Sequence, residues 1–242
     1  MAPTEDAGSI AKGVLEHIRN GMAERIERLC YHCQAAEATE DKEGRFDIPL
    51  CDRCRARAAE ERVAIRLGEA EIPRRYREAR RADIDAVTWR RVQSWIGSEG
   101  WALVLLGPTG CGKSHLAAAT LVELAHQNVS MLWRSVPALI DQLKEFERAT
   151  ELMERLTRVR VLVLDDLAAA RLTDFGLDRV ATLVQARYDG CRRTIVTTNL
   201  EASAIGELHG RMASRLLGTG DGATVIKLGG SDRRQKRAKG AA

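Results

Sequence analysis

The apolar positions of the chain follow two different rhythms. Near the N-terminus they recur at every third or fourth residue, which predicts an amphipathic helix over Ile10 to Leu29. After Cys54 an Ala/Arg/Glu-rich stretch favours another helix, which ends near Gly68, before the break at Ile72-Pro73. From Trp89 onward short apolar runs alternate with longer helical stretches, a pattern typical of a parallel sheet with helices on both faces.

Five apolar runs carry the strand prediction. They are Trp101 to Leu106, Ser130 to Arg134, Val159 to Leu164, Arg193 to Thr198 and Thr224 to Leu228. Five strands separated by helices fit one α/β domain, which we expect at residues 89–230. Around it we expect a small module at residues 1–65, a linker at 66–88 and a basic, disordered tail at 231–242.

Composition excludes several classes of protein. Of the 242 residues 45% are hydrophobic and 30% are charged, which is typical of a globular protein. Residues 1–10 lack the basic and apolar regions of a signal peptide, and no apolar run approaches the roughly 20 residues that cross a membrane. We therefore expect a cytoplasmic protein without a membrane partner. The net charge is only +4, but arginines crowd residues 74–81 and basic residues crowd the tail. Such clusters can attract nucleic acid, although they are more often a solvated surface.

A glycine-rich segment follows the first apolar run and precedes a helical stretch. It reads Gly107-Pro108-Thr109-Gly110-Cys111-Gly112-Lys113-Ser114, a complete Walker A loop. Its glycines let backbone N–H groups point at phosphate oxygens, and the following helix adds its positive N-terminal end. We expect Lys113 to reach the β- and γ-phosphates of ATP and Ser114 to bind Mg²⁺. The eight loop residues and the next residue, His115, are the predicted nucleotide-binding residues.

Polar side chains close the third and fourth apolar runs. Asp165 and Asp166 end the third, which gives it the form of a Walker B element, because parallel strands bring their carboxyl ends to the edge where a phosphate loop lies. We expect Asp165 to hold the magnesium shell and Asp166 to polarise the attacking water. The alternative is that the two acids only cap the next helix. Asn199 ends the fourth run and could orient water or touch the γ-phosphate, although Asn at a strand end is ordinarily a turn former.

Together these residues resemble an AAA+ ATPase of the helicase-loader group, the DnaC and DnaI proteins, to which the transposition ATPase IstB is also similar. The resemblance runs from about Gly68 to Arg233. Its markers are Gly-Glu-Ala-Glu-Ile-Pro-Arg-Arg-Tyr-Arg, Gly-Lys-Ser-His-Leu-Ala, Leu-Asp-Asp-Leu, Thr-Ile-Val-Thr-Thr-Asn-Leu and Gly-Arg-Met-Ala-Ser-Arg-Leu-Leu. It implies a P-loop AAA+ (ASCE) core that hydrolyses ATP.

The resemblance also assigns roles to single residues. It makes Asn199 the sensor 1 residue, and Arg215, with its neighbour Arg211, the arginine finger that completes a neighbouring subunit's site. Hydrolysis would then depend on self-assembly. Arg233 is the implied sensor 2, with Arg234 as a competing candidate. Without the resemblance, Arg211 and Arg215 would simply form one basic helix face.

The chain departs from the family pattern at two positions. Asp166 stands where many AAA+ proteins have Glu, and the shorter acid suggests slow hydrolysis suited to a switch. Ala168 replaces a common Gly, so the local loop is expected to differ. If turnover were negligible, the protein would be an ATP-gated adaptor rather than an enzyme.

Two C-x-x-C pairs, separated by seventeen residues, lie before the core. They are Cys30 with Cys33 and Cys51 with Cys54. This spacing is typical of a structural zinc site, in which four thiolates satisfy Zn²⁺ and leave no open position. Disulfides are the alternative, but an ATP-using protein without a signal peptide is expected in a reducing compartment.

A zinc module before such an ATPase resembles DnaI and phage loaders more than DnaC or IstB. The resemblance implies that residues 1–65 dock a DnaB-type hexameric replicative helicase and that the AAA+ domain binds ATP and single-stranded DNA as replication begins. One alternative is that the cysteine pairs bind DNA directly. Another is an IstB-like accessory ATPase that prepares target DNA for a transposase. The cysteine spacing does not choose between helicase docking and direct DNA binding, but a zinc module argues against the IstB-like alternative.

Overall fold

The computed structural model describes Cys33, residues 51–167 and residues 173–230. Several predicted features lie outside these residues: the N-terminal helix, Cys30, Ala168, and the tail with Arg233 and Arg234. The described residues fall into two compact units, which divide between Arg62 and Val63.

Five parallel strands form the sheet of the second unit. They are β1 (Ala102–Leu106), β2 (Met131–Ser135), β3 (Val161–Leu167), β4 (Arg193–Thr198) and β5 (Ala223–Lys227). Their order across the sheet is β2-β3-β4-β1-β5. The predicted five-stranded parallel sheet is confirmed, with strand ends displaced by at most three residues. Because β4 lies between β1 and β3, the end of β4 separates the glycine-rich loop from the acidic pair.

Eight α-helices accompany the strands in the described part of the chain, together with short 3-10 helices at Arg74–Tyr76, Arg81–Asp83 and Thr219–Asp221. They are α1 (Asp52–Glu69), α2 (Ala86–Ile96), α3 (Lys113–Ala125), α4 (Val136–Leu143), α5 (Phe146–Arg158), α6 (Asp174–Asp189), α7 (Ala202–Leu208) and α8 (Gly210–Leu217). Asp85 caps α2 by accepting from the Thr88 N–H at 2.8 Å, and Thr173 caps α6 by accepting from the Gly176 N–H at 3.2 Å. Among the described residues no helix combines the length and apolarity that a membrane crossing requires.

The two faces of the sheet are buried in separate layers. Leu103 and Leu105 of β1 pack with residues of α2 and α3, whereas Val104 and Leu106 pack with residues of α4, α6 and α8. Successive strand residues point to opposite faces, so a strand covered on both sides reads as a continuous apolar run. This explains why the runs in the sequence do not alternate with polar residues.

Arg187 of α6 is wholly buried and caps a neighbouring helix. Its guanidinium donates to the carbonyls of Leu156 at 2.6 Å and Val159 at 2.9 Å, at the C-terminal end of α5. It also donates to the Thr194 hydroxyl at 2.9 Å and to the Arg193 carbonyl, both in β4. These bonds satisfy carbonyls that a helix end leaves open. Burial lowers the pKa of Arg187 to about 9, so the side chain remains a cation at neutral pH.

Arg193 plays a similar part for α2. Its guanidinium donates to the carbonyls of Trp95 at 2.9 Å and Ile96 at 2.8 Å, and lies 4.8 Å from the centre of the Trp95 ring. The end of α2 is thereby joined to the start of β4.

We expect Arg187→Met to lower the free energy of unfolding by about 3 kcal/mol, because four buried or half-buried carbonyls lose their donor. Urea unfolding followed by tryptophan fluorescence measures the change. Arg192→Met removes an exposed arginine nearby and should shift the free energy by less than about 0.5 kcal/mol. Equal shifts in the two variants would contradict the capping role.

Candidate nucleotide-binding site

The loop between β1 and α3 turns sharply at its glycines. Gly107 has φ +150°, and a Cβ there would lie 2.3 Å from the carbonyl oxygen of Leu228, so only glycine fits against the chain that leaves β5. Gly112 has φ +105° and is the residue at which α3 begins to form. The loop thus wraps the N-terminus of α3 at the carboxyl edge of the sheet, where N–H groups and the helix dipole favour an anion.

Lys113 opens α3, and its side chain turns back over the loop. Its Nζ donates to the carbonyls of Gly107 at 2.7 Å and Pro108 at 2.8 Å. Of the other predicted nucleotide-binding residues, Thr109 is exposed, Gly110 and His115 are half-buried and Cys111 is buried. Phosphate oxygens would offer the ammonium stronger, charge-assisted hydrogen bonds than these carbonyls do.

Side chains from three elements meet at Asp165 of β3. Its Oδ1 accepts from the Ser114 hydroxyl of α3 at 2.7 Å and from the Thr197 hydroxyl of β4 at 2.7 Å. Asp165 is 8% exposed, and burial raises the pKa of its carboxyl while the bonds from Thr197 and Ser114 oppose that rise. A hydroxyl and a carboxylate are oxygen ligands of the kind that Mg²⁺ prefers. Ser114 and Asp165 therefore fit a magnesium site.

Asp166 has a left-handed backbone with φ +63°. The pairing of β3 with β4 shifts between Leu164 and Leu167, so Asp166 lies in a strand irregularity, where its N–H donates to the Thr197 hydroxyl at 3.0 Å. Asp and Asn are the residues, besides glycine, that adopt this conformation most readily. The backbone thus gives a physical reason for Asp rather than Glu, and the side chain is exposed at the carboxyl edge.

Sequence reasoning missed Thr197. Its hydroxyl donates to Asp165 and accepts from the Asp166 N–H, so one side chain of β4 positions both acids. The next residue, Thr198, donates to the Leu167 carbonyl and strengthens the same junction. A signal was present in the sequence, because hydroxyls inside an apolar strand need hydrogen-bond partners.

Asn199 lies at the same edge as the loop. It directly follows β4, and the preceding residue, Thr198, accepts a hydrogen bond from the Gly107 N–H at 3.3 Å. The Asn199 side chain is exposed. The structure thus brings the Walker A loop, the acidic pair and Asn199 together at one edge.

Arg215 of α8 lies away from this edge. The Arg215 guanidinium lies 5.1 Å from the centre of the Tyr188 ring and donates to the Arg211 carbonyl at 3.0 Å. Tyr188 in turn packs edge-on against Trp101, which precedes β1 at the amino edge of the sheet. Arg211 is exposed. Arg215 is therefore not brought to the loop of its own chain.

Three cysteines of the first unit cluster. The Sγ atoms of Cys33, Cys51 and Cys54 lie within 4.8 Å of one another, and those of Cys33 and Cys51 are 3.8 Å apart. A disulfide would hold two sulfurs about 2.05 Å apart. Tetrahedral ligands about 2.3 Å from a zinc ion lie about 3.8 Å from each other, so the spacing fits a metal better. Cys111 and Cys191 are not part of the cluster.

We expect Thr197→Val to lower kcat for ATP hydrolysis about tenfold, since both acids lose the hydroxyl that positions them. Thr197→Ser keeps the hydroxyl and should retain most of the activity. Steady-state ATPase rates at several Mg²⁺ concentrations measure both variants. Full activity in the valine variant would rule out a positioning role for Thr197.

We expect Asp165→Asn to abolish magnesium-dependent hydrolysis without destabilising the ligand-free protein. Burial raises the folded-state pKa of Asp165, so the ionised carboxylate costs stability at neutral pH, and this cost falls as pH drops through that pKa. In urea unfolding at pH 7 the variant should match or exceed the wild-type protein, and any advantage should shrink toward pH 4. A less stable variant at pH 7 would contradict this account.

Several known proteins are similar to this chain. Residues 50–237 match the family described as IstB-like ATP binding protein. The insertion sequence ATP-binding protein y4uH of Sinorhizobium fredii is 30% identical over 192 residues, 74% of this chain and 74% of that protein. The replicative helicase loader DnaI of Bacillus subtilis is 33% identical over 105 residues, 42% of this chain and 34% of that protein. Matches to three further insertion-sequence proteins span 57%, 48% and 45% of their lengths, so about half of each.

The crystal structure of DnaI has the same fold, with a TM-score of 0.57 and 27% identity over 67% of this chain and 94% of that one. The family match covers most of the 242 residues and includes the loop, the acidic pair and Asn199. The chain therefore belongs to the IstB-like ATP-binding proteins and is a P-loop AAA+ ATPase.

Proposed function

We propose that this protein is a cytoplasmic, ATP-controlled loader that delivers a DnaB-type hexameric replicative helicase onto single-stranded DNA as replication begins. The cysteine cluster carries the proposal. It belongs to the unit that ends at Arg62, whereas the loop and acidic pair belong to the unit that starts at Val63. With Cys30, which lies outside the described residues, these three thiols would form a closed set of four that offers no open position for chemistry, so the set suits a module that holds a partner. The likeness to DnaI, whose name describes a helicase loader, supports that choice of partner.

The ATP site is assigned from the hydrogen bonds at the carboxyl edge. Lys113 and the N–H groups of residues 109–112 bind the β- and γ-phosphates, with His115 beside them. Ser114 and Asp165 hold Mg²⁺, which neutralises charge on the phosphates when it is bound. The Ser114 hydroxyl lies 2.7 Å from Asp165 Oδ1, so both oxygens can bind one metal ion, which supports the assignment.

Hydrolysis is assigned to Asp166 and Asn199. Asp166 leaves the strand beside the loop and can polarise a water molecule, and the Asn199 amide can orient that water or the γ-phosphate. The left-handed backbone at Asp166 fixes the direction of a short side chain. A short reach to the water favours slow turnover, as a switch requires.

Assembly completes the site. We assign the arginine finger to Arg215, with Arg211 beside it, because Arg215 does not lie near its own loop and a guanidinium can act across a subunit interface. The family resemblance extends the site to Arg233 as sensor 2.

We keep the domain boundaries that the sequence predicts. Residues 1–65 form the helicase-binding module, in which Cys30, Cys33, Cys51 and Cys54 hold Zn²⁺. Residues 66–88 form the linker, 89–230 the ATPase domain and 231–242 a basic tail that can attract DNA.

A second function is favoured by the family match itself. Many of the curated relatives are insertion-sequence ATP-binding proteins, so the chain could instead be a transposition accessory ATPase acting on target DNA. Both functions use the same ATP site and differ in the partner.

Partner choice is therefore the decisive measurement. We expect the full-length protein with Mg²⁺ and ATP to co-elute with its host's replicative helicase in size-exclusion chromatography. A Cys51→Ser/Cys54→Ser variant should lose the complex but still bind ATP, because the thiols and the loop belong to separate units.

Lys113→Ala is the matched control, since it should lose ATP binding while keeping its zinc. Co-elution with an insertion-sequence transposase, and none with the helicase, would replace the loader proposal with the second function. Loss of ATP binding in the cysteine variant would contradict the separate role of the thiols.

A further inference from the structure

Residues 70–85 join α1 to α2 and cross the face of the sheet that α3 covers; we call this segment the strap. At its start the carbonyl of Ala70 accepts from the Trp133 N–H of the edge strand β2 at 2.8 Å. Toward its end Asp83 lies 3.1 Å, Oδ2 to Nε2, from His115 in the first turn of α3. Ile72 is buried between these two points. The strap therefore passes beside the end of α3 that carries the Walker A loop.

Aromatic stacking fixes one arginine of the strap. The ring of Tyr76 packs on Trp133 at 5.8 Å between centroids, and the Arg75 guanidinium carbon lies 4.6 Å from the centre of the Tyr76 ring. Arg77 steadies the turn by donating to the Ile72 carbonyl at 2.9 Å. Arg75 thus has a defined place, although it is exposed.

That place is next to the acidic pair. In the parallel pairing of β2 with β3, Trp133 is opposite Val163 and Ser135 is opposite Asp165. Val163 packs in the same layer as Trp133, so Asp165, two residues further along, emerges from that face at the carboxyl edge. Tyr76 and Arg75 therefore lie against the same face, close to the point where Asp165 emerges.

The charged group of Arg75 remains available at this place. Among the described residues no ion pair within 4.0 Å joins Arg75 to Asp165, so the guanidinium is not neutralised by that carboxylate. Its contact with Tyr76 uses the ring face and leaves its N–H donors available.

We propose that Arg75 is a nucleotide-binding residue that recognises the terminal phosphate of ATP from within the same chain. The inference rests on the proposed magnesium pair, Ser114 and Asp165, which would place the γ-phosphate near Asp165, on the face of the sheet where Arg75 lies. A guanidinium presents several N–H donors in a plane and matches phosphate oxygens well. ADP lacks the γ-phosphate, so Arg75 distinguishes ATP from ADP.

The test is the affinity of the full-length protein for fluorescent mant-ATP and mant-ADP with Mg²⁺. Arg75→Gln should weaken mant-ATP binding about tenfold and change mant-ADP binding less than about twofold, since only ATP loses a charged contact. Arg75→Lys should recover most of the ATP affinity because it keeps the charge. Arg74→Gln, at the exposed neighbouring position, should change neither affinity.

Each other outcome overturns the inference. Equal weakening of both nucleotides by Arg75→Gln would mean that Arg75 only supports Tyr76, and no change would mean that it has no part in binding. The same shift in Arg74→Gln would indicate general surface charge.

Lys113→Ala separates this inference from the assignment on which it rests. If Lys113→Ala loses both nucleotides while Arg75→Gln behaves as wild type, only the role of Arg75 fails. If Lys113→Ala binds both nucleotides normally, the assigned ATP site itself fails.

Discussion

The carboxylate of Asp165 holds the nucleotide site together. By accepting from Ser114 and Thr197 it joins α3, β3 and β4 in one hydrogen-bonded junction at the carboxyl edge. These bonds stabilise a buried charge that would otherwise be costly to remove from water. The strand order makes the junction possible, because β4 lies between the strand that enters the loop and the strand that carries the acids. The left-handed backbone of Asp166 and the shift in strand pairing both occur at this junction.

Buried and half-buried arginines join separate elements elsewhere in the domain. Arg187 and Arg193 satisfy the carbonyls at the ends of α5 and α2, and both fasten those ends to β4. Glu71 of the strap similarly accepts from Arg134 of β2 and Arg155 of α5. Only 4% of the residues are aromatic, and hydrogen bonds from guanidinium groups join many of the separate elements. Such bonds also make the positions of the helices specific, which apolar contacts alone do less well.

Much of the fold could be predicted because its signals are local. The five apolar runs became strands, since a parallel sheet covered on both faces needs uninterrupted apolar residues. The Walker A loop was recognisable because glycines and a lysine are required at fixed positions along the chain. By contrast, the arginines at residues 74–81 gave no sign of their separate roles. Only the structure shows that Arg77 bonds within the strap while Arg75 stacks on Tyr76.

The sequence by itself determined the kind of fold, the phosphate-binding loop and the acids beside it, because each depends on residue types at short spacing. The tertiary structure decided which side chains meet across strands. Thr197 is 32 residues from Asp165 in the sequence. No local pattern predicts the strand register that brings the Thr197 hydroxyl within 2.7 Å of the Asp165 carboxylate. The same is true of Arg75, whose position beside the acidic pair depends on the packing of Tyr76 against Trp133. Contacts of this kind follow from how strands and connecting segments are layered, and that layering exists only in the folded chain.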